Sequence, residues 1–338
     1  MQYLYTLTST VNDLYYEQFL LSAASLKQQM PNANITLLCD SDTKKTLVGK
    51  RSEYEKLVWK TIATDTPEDL SQIEVSRWVR TSMRRLVQGE FLFLDGDTIV
   101  TDDLSSITEM NINFGACLDK HSLINNHFKK NDIIKRDKKL KFDSHLSGRH
   151  FNGGVLFCAD TPDVHKIFDR WHELWLFGRS KNILRDQPSL NAAIHENLPF
   201  FTELDGTWNC QVAFNGLPFL ERAKIIHYFI SDTFLTASPY IFSSENLLRQ
   251  IKEAGTITND ALELLKKPKS AFFAETQILS GSEMLSVINS DLFQSIIFLR
   301  KKLPSVFKLF NFFCSLLKKI VKNIIIKSSK KKGTSIYN

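Results

Sequence analysis

The stretch Phe91–Val100, FLFLDGDTIV, decides the fold that we predict for this chain. Its four large apolar residues suit a β-strand buried on both faces, as in a mostly parallel sheet covered by helices. Asp95 and Asp97 follow at the carboxyl end of that strand, where open α/β sheets bind their ligands. In an extended segment the two carboxylates leave on the same side, and Gly96 has no Cβ to hold a ligand away. Two such oxygen donors form half of a divalent-cation site for a phosphate-bearing substrate.

Three other interpretations compete with a metal site. Asp-Gly between apolar runs is typical of a type I′ hairpin, although the continuous apolar flanks and the second acid argue against one. A strand that ends in Asp also occurs in P-loop enzymes, but the sequence has no G-x-x-x-x-G-K-[ST] loop. Asp95 and Asp97 also suit plain solvated turn positions. The stretch alone leaves these alternatives open.

Composition predicts a soluble globular protein with an acidic body and a basic tail. The 338 residues are 43% apolar and 24% charged, with room for one large domain plus an appendage or for two domains. Eleven lysines and arginines lie between Arg300 and Lys332 and no acid follows Asp291, so subtracting eleven from the net +6 leaves −5 on the rest. A nucleic-acid enzyme would carry basic charge around its cleft, so we expect no nucleic-acid partner. The five cysteines show no C-x-x-C and predict reduced core residues in a cytosolic chain.

The order of predicted elements indicates an α/β sheet. A β-rich run at residues 3–8, with no signal peptide before it, a helix at 14–30 and a strand at 35–39 form a βαβ unit with a parallel pair. Residues 119–150 are a long polar segment without a clear period, which is usual for a functional or a disordered segment. Further strands are predicted at 57–63, 114–118, 151–157 and 225–229, and further helices at 74–87, at 163–177 and from Asp186 onward.

Five motifs share an order and a spacing with one enzyme family: Arg77–Thr81, Asp95–Asp97, Asn152–Val155, the Asp186-Gln187 pair, and His227. Over roughly residues 1–230 they resemble the GT-A glycosyltransferases, in particular family 8, the group of glycogenin and bacterial lipopolysaccharide galactosyltransferases. In that resemblance the acids are similar to a DxD motif that holds Mn²⁺ or Mg²⁺ on a nucleotide-sugar diphosphate. The other motifs are similar to the basic segment at the nucleotide, the N-x-G-V strand beside the donor sugar, the acidic-Gln pair near the anomeric carbon, and a third metal ligand.

The resemblance implies a GT-A fold, a Rossmann-like and mostly parallel sheet flanked by helices. It implies metal ligation by Asp95, Asp97 and His227, and this mixture of carboxylate and imidazole favours Mn²⁺ somewhat over Mg²⁺. The implied catalytic residues are Gln187 and Asp186. The implied nucleotide-sugar contacts are Thr6, Thr8, Arg77, Arg80, Asp95, Gly96, Asp97, Asn152, Gly153, Gly154 and Asn209.

Several of these residues also have a structural interpretation. Arg77 and Arg80 share a predicted helix face and suit phosphate, but a solvated face is the alternative. The glycines at 153–154 allow close backbone approach to a sugar, and a β-bulge explains strand glycines equally often. Asn152 and Asn209 suit sugar hydroxyls, or turn and cap roles.

The chemistry near the anomeric carbon follows from the resemblance. Gln187 is uncharged and a poor nucleophile, which implies attack by the acceptor on the leaving-group side with retention of configuration. Asp186 orients the sugar or caps a helix. The family often follows its His with a Gly/Lys-Pro-Trp segment, whereas His227 here leads into Tyr228–Asp232 with no Lys before Pro239. Which cation besides the metal contacts the diphosphate is therefore open.

The tail from Pro304 to Lys327 alternates an aromatic-rich apolar face with a lysine face at helical spacing. This pattern predicts a helix that lies in a membrane interface, since a spanning helix needs about twenty residues with few charges. Packing on the catalytic body is the alternative. The basic residues of 300–332 predict binding to an anionic membrane surface. The predicted domains are residues 1–240 for the transferase, 241–299 for a helical extension and 300–338 for the membrane-associating tail.

The predicted function is a metal-dependent glycosyltransferase, cytoplasmic and peripheral on the inner face of a bacterial cell membrane. It would move a hexose from a nucleotide-diphosphate sugar, expected to be a UDP-sugar, to a cell-surface glycan or lipid-linked acceptor. A sugar-phosphate nucleotidylyltransferase is the enzymatic alternative. It is disfavoured because such enzymes resemble one another in an N-terminal Gly-rich loop that ends in Arg or Lys, and here no glycine precedes Gly49. The non-enzymatic alternative is a degenerate sugar-nucleotide-binding protein, against which the retained carboxylates and His227 count.

Overall fold

The structure, a computed structural model, describes residues 1–229, 240–273 and 286–332, with side chains as far as residue 320. It divides into two compact units, residues 1–285 and 286–338. The first unit therefore includes residues 240–273, which contribute Tyr240, Phe242 and Leu248 to its core. The boundaries at 240 and 299 stay predictions from the sequence.

Two sheets form the frame of the first unit. The described strands are β1 Gln2–Leu7, β2 Ile35–Asp40, β3 Lys60–Thr64, β4 Phe91–Leu94, β5 Thr98–Val100, β6 Phe114–Leu118, β7 Phe151–Cys158, β8 Phe201–Glu203, β9 Cys210–Gln211 and β10 Ile225–His227. Seven of them form a sheet in the order β3-β2-β1-β4-β7-β6-β8, and three form a small sheet in the order β5-β10-β9. In the large sheet β7 alone is antiparallel to its neighbours β4 and β6, and the other strands run in one direction. The mostly parallel α/β fold is confirmed.

Helices cover both faces of the large sheet. The described α-helices are α1 Tyr15–Gln29, α2 Ser41–Thr46, α3 Gln72–Leu86, α4 Lys130–Leu140, α5 Pro162–Ser180, α6 Gln187–Glu196, α7 Leu217–Leu220, α8 Glu245–Ala254, α9 Asn259–Leu265, α10 Asp291–Lys302 and α11 Pro304–Lys332. Leu92 and Leu94 of β4 pack into the core with α1, α8 and α9, while Phe91 and Phe93 pack into the core with α3, α5 and α6. All four side chains are fully buried, as the continuous apolar run predicts.

The stretch 91–100 departs from the extended conformation expected of it. β4 and β5 belong to different sheets, so Asp95–Asp97 forms a turn between two sheets rather than the end of one strand. The turn is held by the Asp95 N–H, which donates to the Gly154 carbonyl oxygen at 2.8 Å, and by the Thr98 hydroxyl, which donates to the Asp95 carbonyl oxygen at 2.7 Å. The hairpin alternative is wrong, because β5 pairs with β10 instead of β4.

The polar segment 119–150 is folded, although its sequence shows no clear period. It contains α4, whose buried face consists of Ile133, Asp137 and Leu140. The Asp137 carboxylate accepts hydrogen bonds from the Ser144 hydroxyl at 2.6 Å and the His145 N–H at 3.0 Å. An apolar period does not reveal this helix because a hydrogen-bonded carboxylate, rather than an apolar side chain, occupies the middle of its inward face.

The second unit consists mainly of α10 and α11. Exposed apolar side chains of α11 include Leu309, Phe312, Phe313 and Leu317. Of these only Leu317 belongs to the apolar face that the sequence predicts, which consists of Val306, Phe307, Phe310, Cys314, Leu317, Val321, Ile324 and Ile325. No helix in the described part of the chain is long and apolar enough to span a membrane. The free cysteines Cys39, Cys117, Cys158 and Cys210 are buried, and Cys314 on α11 is exposed.

Candidate functional site

A cavity of about 480 Å³ opens at the carboxyl edge of the large sheet, where the strand order reverses between β1 and β4. Open α/β sheets bind ligands at such a switch point, because the loops after the two strands diverge there. Of the fourteen residues predicted for the site, thirteen line the cavity: Thr6, Thr8, Arg77, Arg80, Asp95, Gly96, Asp97, Asn152, Gly153, Gly154, Asp186, Gln187 and His227. Asn209 lies outside it and is fully buried.

The direction of β7 brings Asn152–Gly154 to this edge. Because β7 is antiparallel to β4, its beginning meets the end of β4, and Val155 pairs with Leu94. Between Phe151 and Leu156, β7 advances five residues while β6 advances two, from Leu118 to Ala116. The glycines therefore lie in an irregular part of the β6–β7 pairing, as the bulge interpretation expects.

The glycines also make room for two site side chains. A Cβ on Gly153 would lie 3.0 Å from Arg80 Nη2, and a Cβ on Gly154 would lie 2.3 Å from His227 Cε1. A Cβ on Gly96 would lie 3.5 Å from the backbone nitrogen of Phe19, an ordinary contact. Of these three glycines, Gly154 is the one where a larger residue would be least tolerated, because its Cβ would overlap the His227 ring.

Asp95, Asp97 and His227 form a cluster that could hold a metal ion. One potential ligand atom from each residue lies within 4.8 Å of the others. His227 Nε2 lies 3.2 Å from Asp97 Oδ1, and the side chains of Asp95, Asp97 and His227 are 26%, 18% and 3% exposed. The pairing of β10 with β5 creates this proximity, since it places His227 opposite Thr98 at the end of the acidic turn.

The surroundings of His227 fix its tautomer and the plane of its ring. Its Nδ1–H donates to Asn209 Oδ1 at 3.0 Å, which directs Nε2 toward the carboxylates. The Phe229 ring stacks on the imidazole with a centroid distance of 3.7 Å, and Gly154 lies against its Cε1. A metal-ligating histidine is usually held by such a hydrogen bond from its other ring nitrogen. The donor set and this support both fit a divalent cation.

A series of hydrogen bonds leads from Asn209 through Asn152 to Asp119, which does not line the main cavity. Asn209 Nδ2 donates to Asn152 Oδ1 at 3.0 Å, and Asn152 Nδ2 donates to Asp119 Oδ1 at 2.9 Å. His127 Nε2 lies 3.2 Å from Asp119 Oδ2. Burial alone would raise the pKa of Asp119, but the neighbouring Lys120 charge and the hydrogen bond from His127 hold that pKa well below its ordinary value. The ionised Asp119 carboxylate thus holds Asn152, Asn152 holds Asn209, and Asn209 holds His227.

Arg77 and Arg80 contact carboxylates instead of forming a solvated face. Arg80 lies between Asp95 Oδ2, 3.3 Å from its Nη2, and Asp186 Oδ2, 3.5 Å from its Nε, and it also donates to the Gly153 carbonyl oxygen. Arg77 Nε lies 3.2 Å from Asp186 Oδ1. Burial would lower the pKa of Arg80, but Asp95 and Asp186 raise it, so Arg80 is cationic. Asp186 is the N-cap residue of α6, but its carboxylate accepts no hydrogen bond from the backbone N–H groups of the first turn. The partners of this carboxylate are therefore the two arginines rather than the helix.

Gln187 and Arg185 present polar groups to the cavity without protein partners. Gln187 is the first residue of α6, and neither its side-chain amide nor the exposed Arg185 guanidinium forms a hydrogen bond or ion pair within the described residues. Unpaired groups at a cavity wall are available to a ligand. The sequence analysis did not assign Arg185 to the site, because one exposed arginine beside Asp186 carries no distinctive pattern. It also missed Asp119, although Asp119 follows β6 as Asp95 follows β4.

The profile of glycosyl transferase family 8 matches residues 6–232, more than half of the chain. Two solved structures of the galactosyltransferase LgtC are similar in fold. The first, in complex with donor and acceptor sugar analogs, is 16% identical with a TM-score of 0.50, and the match covers 78% of this chain and 99% of that one. The second, an active-site mutant, is 14% identical with a TM-score of 0.51, covering 77% and 98%. No curated protein matches the sequence.

Proposed function

Because the chain belongs to glycosyl transferase family 8, we propose that it transfers a hexose from a UDP-sugar to a glycan or lipid-linked acceptor with the help of a divalent cation. Family membership makes the chain a glycosyltransferase that uses a nucleotide sugar. It does not accord with the alternative of a sugar-phosphate nucleotidylyltransferase. The choice of a UDP-hexose, the acceptor and the need for a cation are parts of the proposal.

The observation that carries the metal dependence is the orientation of His227. Its Nε2 faces two carboxylates, and Asn209, Phe229 and Gly154 hold the ring in that orientation. A metal-ligating histidine usually has its other ring nitrogen held by a hydrogen bond of this kind. When bound, Mn²⁺ or Mg²⁺ would act as a Lewis acid that stabilises charge on the departing nucleoside diphosphate. The same support argues against a degenerate binding protein.

The residues at the other end of the cavity suit the transfer step. The bond between the anomeric carbon and the diphosphate oxygen breaks, and a bond to the acceptor oxygen forms. The acceptor hydroxyl proton passes to the departing diphosphate in an attack on the leaving-group side, which retains the configuration. The unpaired Gln187 amide would then bond the sugar near the reacting carbon, and Asp186, held by Arg77 and Arg80, would position that part of the site.

A thermal-shift panel of nucleotide sugars with and without Mn²⁺ tests the proposal. We expect UDP-hexoses to raise the Tm of the full chain more with Mn²⁺ than without it, because donor and cation bind only the native state. Asp95→Asn and Asp97→Asn each remove a charged ligand and should abolish the metal-dependent part of the shift. Asp42→Asn on the exposed start of α2 is the matched control. Metal-dependent shifts that persist in both site variants would refute the assignment.

We also propose that the protein is cytoplasmic and binds the inner face of the cell membrane through residues 300–332. Exposed apolar side chains and lysines on α11 support this proposal. Each basic residue near an anionic surface is worth about 1 kcal/mol, and apolar burial adds to that, so salt should weaken binding without abolishing it. Full-length protein should co-sediment with anionic vesicles and much less with neutral ones.

Deletion of residues 300–338 is the companion variant. It should abolish sedimentation with vesicles and lower activity on a lipid-linked acceptor, while metal-dependent donor binding persists, because every site residue precedes residue 230. If the full-length protein stays in the supernatant with both vesicle types, or if the truncated protein aggregates, the tail belongs to the protein core instead.

A further inference from the structure

A second, narrower crevice lies on the other side of Gln187 from the metal cluster. Its volume is about 30 Å³, and it shares only Gln187 and Arg185 with the main cavity. Lys129 and Arg136 of the polar segment line it as well, together with Asp119. A space of this size suits one small group rather than a sugar ring.

Two guanidinium groups line the crevice, close enough for their charges to interact. Arg136 comes from α4 and Arg185 from the residues before α6, and burial together with the Arg185 charge lowers the pKa of Arg136. Within the described residues neither group has a carboxylate partner, and Arg136 Nε donates only to the Asp132 carbonyl oxygen at 3.3 Å. Two like charges held together in a partly buried place cost free energy unless an anion lies between them.

The one acid of the crevice does not neutralise its positive charge. Asp119 attracts Arg136, but the charge with the largest effect on its carboxylate is that of Lys120, which also lines the crevice. Asp119 also bonds Asn152 and His127. His150, also at the crevice, has its pKa lowered to about 4 by burial, so it is neutral at pH 7 and neither adds nor removes charge. Four basic residues, Lys120, Lys129, Arg136 and Arg185, therefore stand against one acid in the crevice, in a body whose net charge is negative.

We propose that this crevice binds an anionic group of the acceptor, a carboxylate or a phosphoryl group, and so places a neighbouring acceptor hydroxyl beside Gln187. The inference rests on the proposed function, since it assigns the acceptor side of the same site. The donor diphosphate is the less suitable occupant, because Arg136 lines the crevice but not the cavity that contains Asp95 and Asp97. Paired guanidinium groups bind carboxylate and phosphate through several charge-assisted hydrogen bonds.

The first experiment measures binding without turnover. Ligand-observed NMR on the full chain compares methyl glucuronide and a methyl hexoside phosphate with methyl glucoside, in the absence of a nucleotide sugar. We expect one or both anionic glycosides to bind more tightly than the neutral one, and the preferred anion identifies the carboxylate or the phosphoryl group as the ligand. Arg136→Gln and Arg185→Gln should each weaken anion binding by about tenfold, the order expected for one lost charge-assisted hydrogen bond.

The matched control is Arg149→Gln. Arg149 belongs to the same segment and carries the same charge, but it pairs with Glu203 at 2.9 Å and does not line the crevice. Anion binding by this variant should equal that of the wild type. Equal binding of anionic and neutral glycosides by the wild type, or equal losses in all three variants, would overturn the inference.

The second experiment measures transfer with the same acceptors. The ratio of acceptor KM values, neutral over anionic, should fall in Arg136→Gln and Arg185→Gln while donor KM changes little. If Arg185→Gln raises donor KM and leaves that ratio unchanged, Arg185 binds the donor diphosphate and the inference is wrong. Anion binding without any transfer would refute the proposed function alone, and transfer without an anion preference would refute this inference alone.

Discussion

The two ends of the cavity differ in how their polar side chains are held. At the metal end, His227 bonds Asn209 and stacks on Phe229, and Asp95 contacts Arg80. At the opposite end, the Gln187 side-chain amide and the Arg185 guanidinium have no hydrogen-bond or ion-pair partner within the described residues. A cation requires ligands already in place, whereas a sugar or an acceptor brings its own hydrogen-bonding groups. The comparison separates residues that support the site from residues that contact a changing substrate.

The charges of the two ends differ in the same way. At the metal end Asp95 and Asp97 act on Arg80, so this end keeps one uncompensated negative charge, which a cation would balance. Arg185 at the opposite end and Arg136 in the adjoining crevice give that region an excess of positive charge. We therefore expect substitutions at the metal end to disturb the arrangement of the metal ligands. Substitutions at the opposite end should change substrate affinity or the turnover rate and leave that arrangement intact.

The largest effect is expected from Gly154→Ala. The added Cβ would overlap the His227 ring, so the ring must move and Nε2 must leave its place beside Asp97. We expect Mn²⁺-dependent transfer to fall about 100-fold or more and the free energy of unfolding to fall by about 1–3 kcal/mol. Steady-state assays over a Mn²⁺ titration, with chemical unfolding, measure both. Wild-type Mn²⁺ affinity in this variant would contradict the proposed support of His227.

Gln187→Ala should have the next largest effect, and on turnover alone. Its amide has no structural partner, so the fold should not change, while a group beside the reacting carbon acts mainly in the transition state. We expect kcat to fall by about 100-fold, the low end for such groups, with donor affinity nearly unchanged. Donor titration by calorimetry and single-turnover kinetics separate the two quantities. If donor affinity collapses while bound donor still reacts at the wild-type rate, Gln187 is a binding residue.

Asn209→Leu should have an intermediate effect on metal affinity. It removes the acceptor of the His227 Nδ1–H, and loss of such support typically lowers metal affinity 10- to 100-fold. Asn209→Asp keeps an acceptor oxygen at that position and should lose less. Mn²⁺ binding followed by electron paramagnetic resonance provides the measurement. Equal losses in the two variants would show that the residue acts through packing.

The smallest effect is expected from Gly96→Ala, within the acidic turn itself. The added Cβ would meet Phe19 at an ordinary contact distance, on the side of α1 rather than over the carboxylates. We expect the free energy of unfolding to change by no more than about 0.5 kcal/mol and Mn²⁺ affinity to fall far less than in Gly154→Ala. A loss as large as that of Gly154→Ala would mean that a ligand approaches the Gly96 backbone closely, as the sequence interpretation has it.

The amino-acid sequence by itself predicts the α/β class, the buried strand at Phe91–Leu94 and the residues of the metal cluster. The strand and the two acids follow from local patterns, since an unbroken apolar run requires burial on both faces and acids after it meet the ligand edge of a sheet. His227 is implied only by the resemblance to family 8. The helix α4 escapes this reasoning, because Asp137 replaces an apolar residue on its buried face.

Tertiary structure alone decides what each site residue contacts. The antiparallel direction of β7 brings Gly153 and Gly154 to Arg80 and His227, and the separation of β4 and β5 into two sheets turns Asp95–Asp97 toward His227. Tertiary structure also places Asn209 behind His227 as its hydrogen-bond partner, rather than on the cavity wall. Strand direction and side-chain partners depend on contacts between segments far apart in the chain, which no local pattern encodes.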